Sequence, residues 1–449
     1  MQETCSDGRP VYKQKKNGML MVMYETREAS QKALLFSIRE DGGNPLMEAL
    51  NREELESLVS TLGETVLSST EIPVREINPA TYIGSGKVQE IKEMIQGSGA
   101  DLVVFNMALS PRVQRNLEKA WEILVIDREE VILRIFASRA RTKEAKLQVE
   151  LAKLQYQRPR LRRMWAGLNR QRGGFYGTKG EGETQLELDQ RIIDDKIVQL
   201  KKDLEKVSKE RELQRQSRMR SPIPRCAIVG YTNSGKSSLL NLLSPDAGVL
   251  VEDKLFATLD PTTRMVKLPG GEEMLLTDTV GFVSNLPTNL VQAFKSTLEE
   301  AKYADFLIIV SDASHPDMLS CWDTTKTVLE ELGCGEKPAI VFVNKMDKQF
   351  DEVAVARMKS SAPIVVCGSV THGTNIDLLE DAVVAMIHRL SPVLNLVIPE
   401  NRYDLIAQIR REGQIVTIDY SGEGVHITAR VQNPSLKDML APFEKGHEN

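Results

Sequence analysis

Eight consecutive residues carry the clearest chemistry in the chain: Gly230-Tyr231-Thr232-Asn233-Ser234-Gly235-Lys236-Ser237. They follow the short apolar run Cys226 to Val229 and precede a helical run. In that strand–loop–helix setting a glycine-rich loop cradles phosphates with its backbone N–H groups. Lys236 is placed to neutralise the β- and γ-phosphates, and Ser237 to reach Mg2+.

Further motifs narrow the nucleotide to guanine. The apolar run Met274 to Thr277 ends at Asp278-Thr279-Val280-Gly281. Asp278 is expected to hold Mg2+ through water, and the Gly281 N–H to sense the γ-phosphate. Asn344-Lys345-Met346-Asp347 follows the strand-like run Ala339 to Val343. A carboxylate at Asp347 can accept from both N1–H and the exocyclic amine of guanine, a donor pair that adenine lacks. Lys345 is expected to pack its stem along the ring. Ser369-Val370-Thr371, after the run Ile364 to Cys367, stands where a further base-contacting loop belongs. Between the first two motifs, Leu255-Phe256-Ala257-Thr258-Leu259-Asp260 offers the switch threonine. Thr258 is chosen to complete the Mg2+ shell, with Thr262 and Thr263 as rivals. The predicted catalytic set is therefore Lys236, Thr258 and Gly281. Any one of these motifs is weak; four in order, each after a suitable strand, are strong.

Two residues bear on mechanism. Phe282 follows the Asp-x-x-Gly element where many GTPases place a water-orienting Gln. A phenyl ring does not orient water, so slow intrinsic hydrolysis is expected, or dependence on a group supplied elsewhere. Asn233 within the phosphate loop resembles the potassium-assisted GTPases, which makes K+ a candidate cofactor.

Other elements must position this machinery. An α/β unit is predicted over residues 1–128 after a loose tail of some twenty residues. It comprises strands at 32–38, 65–72, 101–105 and 123–126, with helices at 46–62, 85–95 and 110–119. Ser110 is a plausible N-cap, with Pro111 in the first turn. Residues 129–220 read as two long helices, 129 to about 157 and from about 183. On the second, Leu186, Ile193, Ile197, Leu200, Leu204 and Val207 recur at a coiled-coil seam spacing. Between them lie Gly167, Gly173, Gly174, Gly177, Gly180 and Gly182, so an antiparallel hairpin with a flexible tip is expected. The GTPase unit is assigned to 221–392. A small α+β unit follows at 393–449, with strands at 394–398, 404–409, 414–420 and 425–431 and a short helix at 435–439. It carries no catalytic constellation, and its composition suits a regulatory contact or a purely structural role.

Charge identifies the hairpin's chemistry. The whole chain of 449 residues has 58 basic and 63 acidic side chains, a net −5 that argues against nucleic acid. Between Val131 and Arg172, however, twelve basic residues face only Glu144 and Glu150, giving +10 there and −15 elsewhere. A solvated helix face would carry mixed charges, as residues 201–206 do. The run Arg158, Arg160, Arg162, Arg163 has no such balance. With Arg170, Arg172 and Lys179 it forms the candidate RNA-binding set, better suited to an irregular RNA surface than to a DNA groove. Trp165 either stacks on a base or packs between the arms.

Composition excludes other classes. Hydrophobic residues are 41% of the chain, against wholesale disorder. No apolar run is long enough for a membrane span, and no signal-peptide core follows the N-terminal basic residues. Five cysteines, scattered and odd in number, give neither a disulfide framework nor a CxxC knuckle. The five histidines lie apart. A reducing, cytoplasmic setting is expected.

Taken together, the motifs resemble the HflX-type GTPases, a branch of the translation-associated phosphate-loop GTPases. The resemblance extends beyond the GTPase motifs to Tyr82-Ile83-Gly84-Ser85-Gly86-Lys87, Arg115-Asn116-Leu117-Glu118 and Asp127-Arg128. It continues through residues 135–142, residues 147–156, Arg158-Pro159-Arg160-Leu161 and Gly180-Glu181-Gly182-Glu183-Thr184. Glu181 departs from the pattern, which has Pro there. The resemblance covers about 30 to 390. It implies a factor that binds the large (50S) ribosomal subunit and splits stalled or idle 70S ribosomes under stress, including heat. The N-terminal unit and hairpin would reach ribosomal RNA near the peptidyl transferase centre. GTP would favour the bound form, with hydrolysis to GDP permitting release, and ATP would be accepted as a second nucleotide. A monomer suits entry into a ribosomal cleft. The main rival is a ribosome-assembly or RNA-maturation GTPase. A protein-signalling switch would leave the +10 segment without a role.

Overall fold

A computed structural model describes residues 13–16, 19–22, 30–40, 44–160, 181–219, 223–244, 255–256, 260–283, 300–390, 393–421, 424–431 and 434–444. Within the opening stretch expected to be a loose tail, two short strands pair antiparallel, β1 (Lys13–Lys16) and β2 (Met19–Val22).

The N-terminal unit is a parallel four-stranded sheet with helices on both faces. Its elements are β3 (Lys32–Glu40), α1 (Pro45–Leu62), β4 (Thr65–Val74), α2 (Ser85–Ser98), β5 (Leu102–Phe105), α3 (Pro111–Trp121), β6 (Leu124–Asp127) and α4 (Arg128–Arg139). The strand order is β4-β3-β5-β6, all parallel. Local chemistry sets the helix starts. Asn44 accepts from the Leu46 N–H, Ser110 from Val113 and Asp127 from Glu130, with Pro45 and Pro111 in their first turns.

Residues 129–157 do not form the single helix expected. The helix breaks at Ala140, and α5 (Lys143–Gln157) restarts with Thr142 as N-cap, its hydroxyl accepting from Ala145 N–H. No Gly or Pro marks the break. The packing does: α4 lays Val131, Ile132, Ile135 and Phe136 into the N-terminal core beside Leu55 and Leu58, while α5 sets Ala145, Val149, Ala152 and Tyr156 on the same cluster and turns Leu147, Leu151 and Leu154 to α6 (Glu181–Met219). The predicted seam is present in its described part. Ile193, Ile197, Leu200 and Leu204 close on Leu147, Leu151 and Leu154. Ion pairs Arg158–Asp194 and Lys196–Glu150, both at 2.6 Å, bridge the arms.

The hairpin root is fixed by Arg160. Its guanidinium lies 3.6 Å from the centroid of the Tyr156 ring. It donates to the Leu109 carbonyl at 2.8 Å, Gln114 Oε1 at 3.0 Å and Asp127 Oδ2 at 3.1 Å. Asp127 is fully buried and also accepts from Tyr156 Oη and Leu109 N–H; burial raises its carboxyl above the usual range despite those donors. Arg160, named with the RNA-binding set from sequence, is thus an internal strut in this structure. Removing one partner of a buried pair typically costs about 3–5 kcal/mol. Arg160→Ala should therefore lower the urea-unfolding free energy by an amount in that range; a loss below about 1 kcal/mol, the worth of an exposed pair, would contradict the strut.

The GTPase unit contains β7 (Arg225–Gly230), α7 (Lys236–Leu243), β8 (Thr262–Lys267), β9 (Glu273–Asp278), β10 (Phe306–Asp312), α8 (Met318–Glu331), β11 (Ala339–Asn344), α9 (Glu352–Ser361), β12 (Val365–Cys367) and α10 (Ile376–Leu390). Its sheet order is β12-β11-β10-β7-β9-β8, parallel except for β8. Strands β7, β10 and β11 are almost wholly buried, which accounts for their continuous apolar runs. One apolar cluster continues from the N-terminal unit into this one, where Phe136 meets Phe256 edge-on at 4.6 Å.

The C-terminal unit holds β13 (Val393–Ile398), α11 (Tyr403–Glu412), β14 (Gly413–Ser421), β15 (Gly424–Val431) and α12 (Pro434–Leu440), with sheet order β13-β15-β14. The strand expected at 404–409 is instead part of α11. Leu405, Ile406 and Ile409 are its buried residues, a helical spacing hidden in a short apolar run. Glu272 of the GTPase unit joins the two units, 3.0 Å from His388 Nε2 and 3.5 Å from Arg430 Nη2.

Candidate nucleotide site

The phosphate loop leaves β7 through a backbone that only small or αL-tolerant residues fit. Gly230 has φ +146°, and a Cβ there would lie 2.2 Å from the Val310 carbonyl oxygen. Asn233 sits at φ +58°, a conformation Asn tolerates better than most side chains. Gly235 has φ +98°, and a Cβ would meet Asn344 Nδ2 at 2.3 Å. The loop is zipped to the Asp-x-x-Gly element: Thr232 N–H donates to the Phe282 carbonyl at 2.7 Å, and Phe282 N–H to the Gly230 carbonyl at 3.1 Å. Gly281 approaches so closely that its Cβ would lie 2.8 Å from both Lys236 Nζ and Thr232 Cα.

Around this loop the predicted residues converge. Lys236 is buried, and its ammonium donates to the Tyr231 carbonyl at 2.6 Å. The Ser237 hydroxyl donates to Asp278 Oδ2 at 2.6 Å, so hydroxyl and carboxylate stand side by side. Thr279 Oγ1 donates to the Ile228 carbonyl, and Val280 is buried. Asn344 links three loops: its Nδ2 donates to the Ser234 carbonyl at 2.8 Å and its Oδ1 accepts from Val370 N–H at 3.0 Å. Met346 N–H donates to the Gly368 carbonyl. Lys345, at φ +62°, pairs with Asp312 Oδ2 at 2.7 Å. Ser369 Oγ donates to Asp347 Oδ1, a hydrogen bond that holds the Asp347 carboxyl below the usual range and keeps it an acceptor at neutral pH. Thr371 is exposed in the same turn.

The switch residues divide. Phe256 is buried against Phe136, and Asp260 turns to the hairpin instead of the nucleotide loop. Asp260 accepts from Arg141 N–H at 2.9 Å, Thr142 N–H at 3.1 Å and Thr142 Oγ1 at 2.6 Å, at the start of α5. The sequence places both residues in the nucleotide switch segment; in this structure they face the N-terminal unit and the hairpin. Ala257, Thr258 and Leu259 lie outside the described residues, as do Arg162, Arg163, Arg170, Arg172 and Lys179. Arg158 pairs with Asp194 across the hairpin. Thr263, a rival to Thr258, bonds Thr277 within the sheet. Phe282 is 1% exposed, so its ring belongs to the core. Missed in the sequence were Asp312, which anchors Lys345, and Glu54 of α1, which accepts from Tyr231 Oη at 2.6 Å. Asp312 closes an apolar strand, a weak signal; Glu54 lies 177 residues from its partner and left none.

Burial pushes the Lys236 amine down to about 8, with Asp278 opposing the shift. Bound phosphates favour the charged amine, so nucleotide binding should take up a proton when the free amine is neutral. Affinity for GDP should be flat below pH 7 and weaken above pH 8, approaching tenfold per pH unit for one linked proton. Calorimetry at pH 7 and 9 in buffers of different ionisation enthalpy checks this; equal affinities without proton uptake would contradict it.

A phosphate loop, a hydroxyl–carboxylate pair and an acceptor carboxylate on the Asn344–Asp347 turn are the parts that a guanine-nucleotide site needs. Comparison with known proteins agrees. Residues 225–345 match the family described as 50S ribosome-binding GTPase, residues 50–137 the GTP-binding GTPase N-terminal region, and residues 139–218 its middle region. GTPase HflX of Treponema denticola is 49% identical over 389 residues, covering 81% of this chain and 99% of that protein. The chain belongs to the HflX GTPase family. GTPase HflX of Escherichia coli is 43% identical over 361 residues, 80% of this chain and 84% of that one. A solved GTP-binding protein from Sulfolobus solfataricus in complex with GDP is 28% identical, covering 80% of this chain and all of that one, at a TM-score of 0.46. Like its HflX relatives, the chain is a GTP-hydrolysing enzyme. No helix among the described residues is long and apolar enough to cross a membrane.

Proposed function

We propose that this chain binds the 50S ribosomal subunit in the cytoplasm and, with GTP, separates stalled or idle 70S ribosomes under stress. One observation carries the reading: the basic hairpin is rooted in both flanking units. Arg160 ties it to Asp127 of the N-terminal unit, and Asp260 of the GTPase unit ties down the start of α5. A change around the nucleotide therefore has a mechanical route to the segment carrying +10. The family description of residues 225–345 supports the partner.

In this reading, backbone N–H groups of Asn233 to Ser237 hold the phosphates, and Lys236 neutralises their β/γ charge. Asp347 reads the guanine edge, Lys345 packs along the ring, and Ser369, Val370 and Thr371 close the base turn. The Ser237–Asp278 pair fits Mg2+, with Asp278 acting through water and Thr258 as the remaining protein ligand. Bound there, Mg2+ would neutralise charge on the β- and γ-oxygens. The Gly281 N–H senses the γ-phosphate. With Phe282 in the core, no side chain follows Gly281 to orient water, so turnover by the chain alone is slow and the ribosome stimulates it. Asn233 supports assistance by K+; equal turnover in KCl and NaCl at equal ionic strength would remove that role.

The hairpin is proposed to meet ribosomal RNA near the peptidyl transferase centre through Arg162, Arg163, Arg170, Arg172 and Lys179, with Arg158 at its base. Affinity for 50S subunits should then fall steeply with salt. Replacing Arg162 and Arg163 by Gln should flatten that slope by about 0.7–0.9 for each phosphate no longer neutralised. An unchanged slope would rule out those two side chains as phosphate partners. The function itself is tested on a sucrose gradient. Vacant 70S particles with the chain and GTP should yield rising 30S and 50S peaks; unchanged 70S would overturn the splitting role.

A further inference from the structure

Tyr231 stands in the phosphate loop, yet its side chain serves another unit. Its hydroxyl donates to Glu54 Oε1 at 2.6 Å, and its ring lies 6.0 Å from that of His315. The other Glu54 oxygen accepts from Arg128 Nη2 at 2.6 Å. Arg128 in turn donates through Nη1 to Asn106 Oδ1 at 3.0 Å, and Asn106 Nδ2 donates to the Asn51 carbonyl at 3.0 Å. Asn106 follows β5, whose end it joins to β3 through its N–H bond to the Phe36 carbonyl. Glu54 and Arg128 side chains are only 13% and 7% exposed, so water competes little for this chain of bonds.

At its other end the chain of bonds reaches the chemistry. The Tyr231 carbonyl accepts from Lys236 Nζ at 2.6 Å, and Tyr231 forms a β-bridge with Phe282, next to Gly281. We propose that Glu54, outside the GTPase unit, is a positioning residue for GTP hydrolysis: it holds Tyr231, and through the Tyr231 carbonyl it sets where Lys236 Nζ lies. A lysine that stabilises charge developing on a transferring phosphoryl group works only if its ammonium is held in advance, and small displacements are costly. The carboxylate suits the task. It takes a charge-assisted bond from the phenol while Arg128 fixes its orientation. Only one of the Glu54–Tyr231 partners is in the phosphate loop, so the position of the N-terminal unit is passed to the reacting phosphate through this hydrogen bond.

The test uses the intact chain alone, with single-turnover GTP hydrolysis, GTP affinity and thermal stability measured together. Tyr231→Phe keeps the ring packing and removes only the donor. Tyr231→Phe and Glu54→Ala should each slow hydrolysis about tenfold, while GTP affinity changes far less. Because both cut the same link, the double variant should be no slower than the slower single one. Glu54→Gln keeps an acceptor for the phenol and should recover most of the rate lost in Glu54→Ala. Two results would overturn the proposal. One is unchanged hydrolysis in both single variants, with only stability reduced. The other is slowing that multiplies in the double variant, since the two residues would then act separately.

Discussion

Lys236→Ala should weaken guanine-nucleotide binding severely without unfolding the chain. The ammonium is buried, 2.6 Å from the Tyr231 carbonyl, and stands where a Gly281 side chain would collide with it. Its removal would leave the nucleotide phosphates without that cation while the Asp278 carboxylate still stands beside Ser237. Truncating one side of a buried, hydrogen-bonded charge pair costs about 2–5 kcal/mol, or roughly 30- to several-thousand-fold in Kd. Titration of a fluorescent GDP analogue should place the variant at the upper end, because several phosphate charges lose their partner together. Without nucleotide, its melting temperature should match or exceed that of the parent. Burial already disfavours the charged amine, pushing it down to about 8, so the empty site gains little from it. Binding within threefold of the parent would remove Lys236 from the phosphate site.

Asp347→Asn should exchange the base that the site prefers. The carboxylate accepts from Ser369 on one oxygen and keeps acceptor capacity for the guanine N1–H and amine. An amide replaces one acceptor with a donor that faces the guanine amine badly and the xanthine O2 well. Sites built around a substrate hydrogen bond reject the wrong partner by about 10⁴-fold or more. The Ser369 bond survives, since the amide oxygen still accepts, so the turn should keep its shape. Competition of GDP and XDP for one fluorescent probe should show the order inverted. Retained preference for GDP would mean that the base is read elsewhere.

Both residues stand in motifs that were legible in the sequence because local geometry restricts residue type there. Gly235 and Gly281 tolerate no Cβ where they stand, and Asn344 must reach both Ser234 and Val370, so the motifs are short and fixed in spacing. The helix start at Ser110 and the Ile193–Leu204 seam were visible for similar reasons, since capping and heptad spacing are local. The features that escaped depend on distant partners. The break before Thr142 needs no Gly or Pro; it is stabilised by Asp260, 118 residues later, which accepts the free N–H groups at the start of α5. Arg160 looked like one of four equivalent surface cations, and only the buried Asp127 distinguishes it. Phe256 looked like part of a nucleotide switch, but Phe136 from another unit decides where its ring goes. The strand expected at 404–409 shows a plain ambiguity: six residues with apolar members at both alternating and helical spacing fit either element until Leu405, Ile406 and Ile409 are seen on one buried face.

The proposed function describes a slow guanine-nucleotide machine that the large ribosomal subunit completes. It stands or falls on steady-state GTP turnover by the intact chain, alone and with purified 50S or 30S subunits. Slow turnover alone is expected from the buried Phe282 ring, with a rise of at least about tenfold on 50S addition and none on 30S addition, as befits a GTPase completed in trans. Turnover that is the same with and without 50S subunits would overturn it.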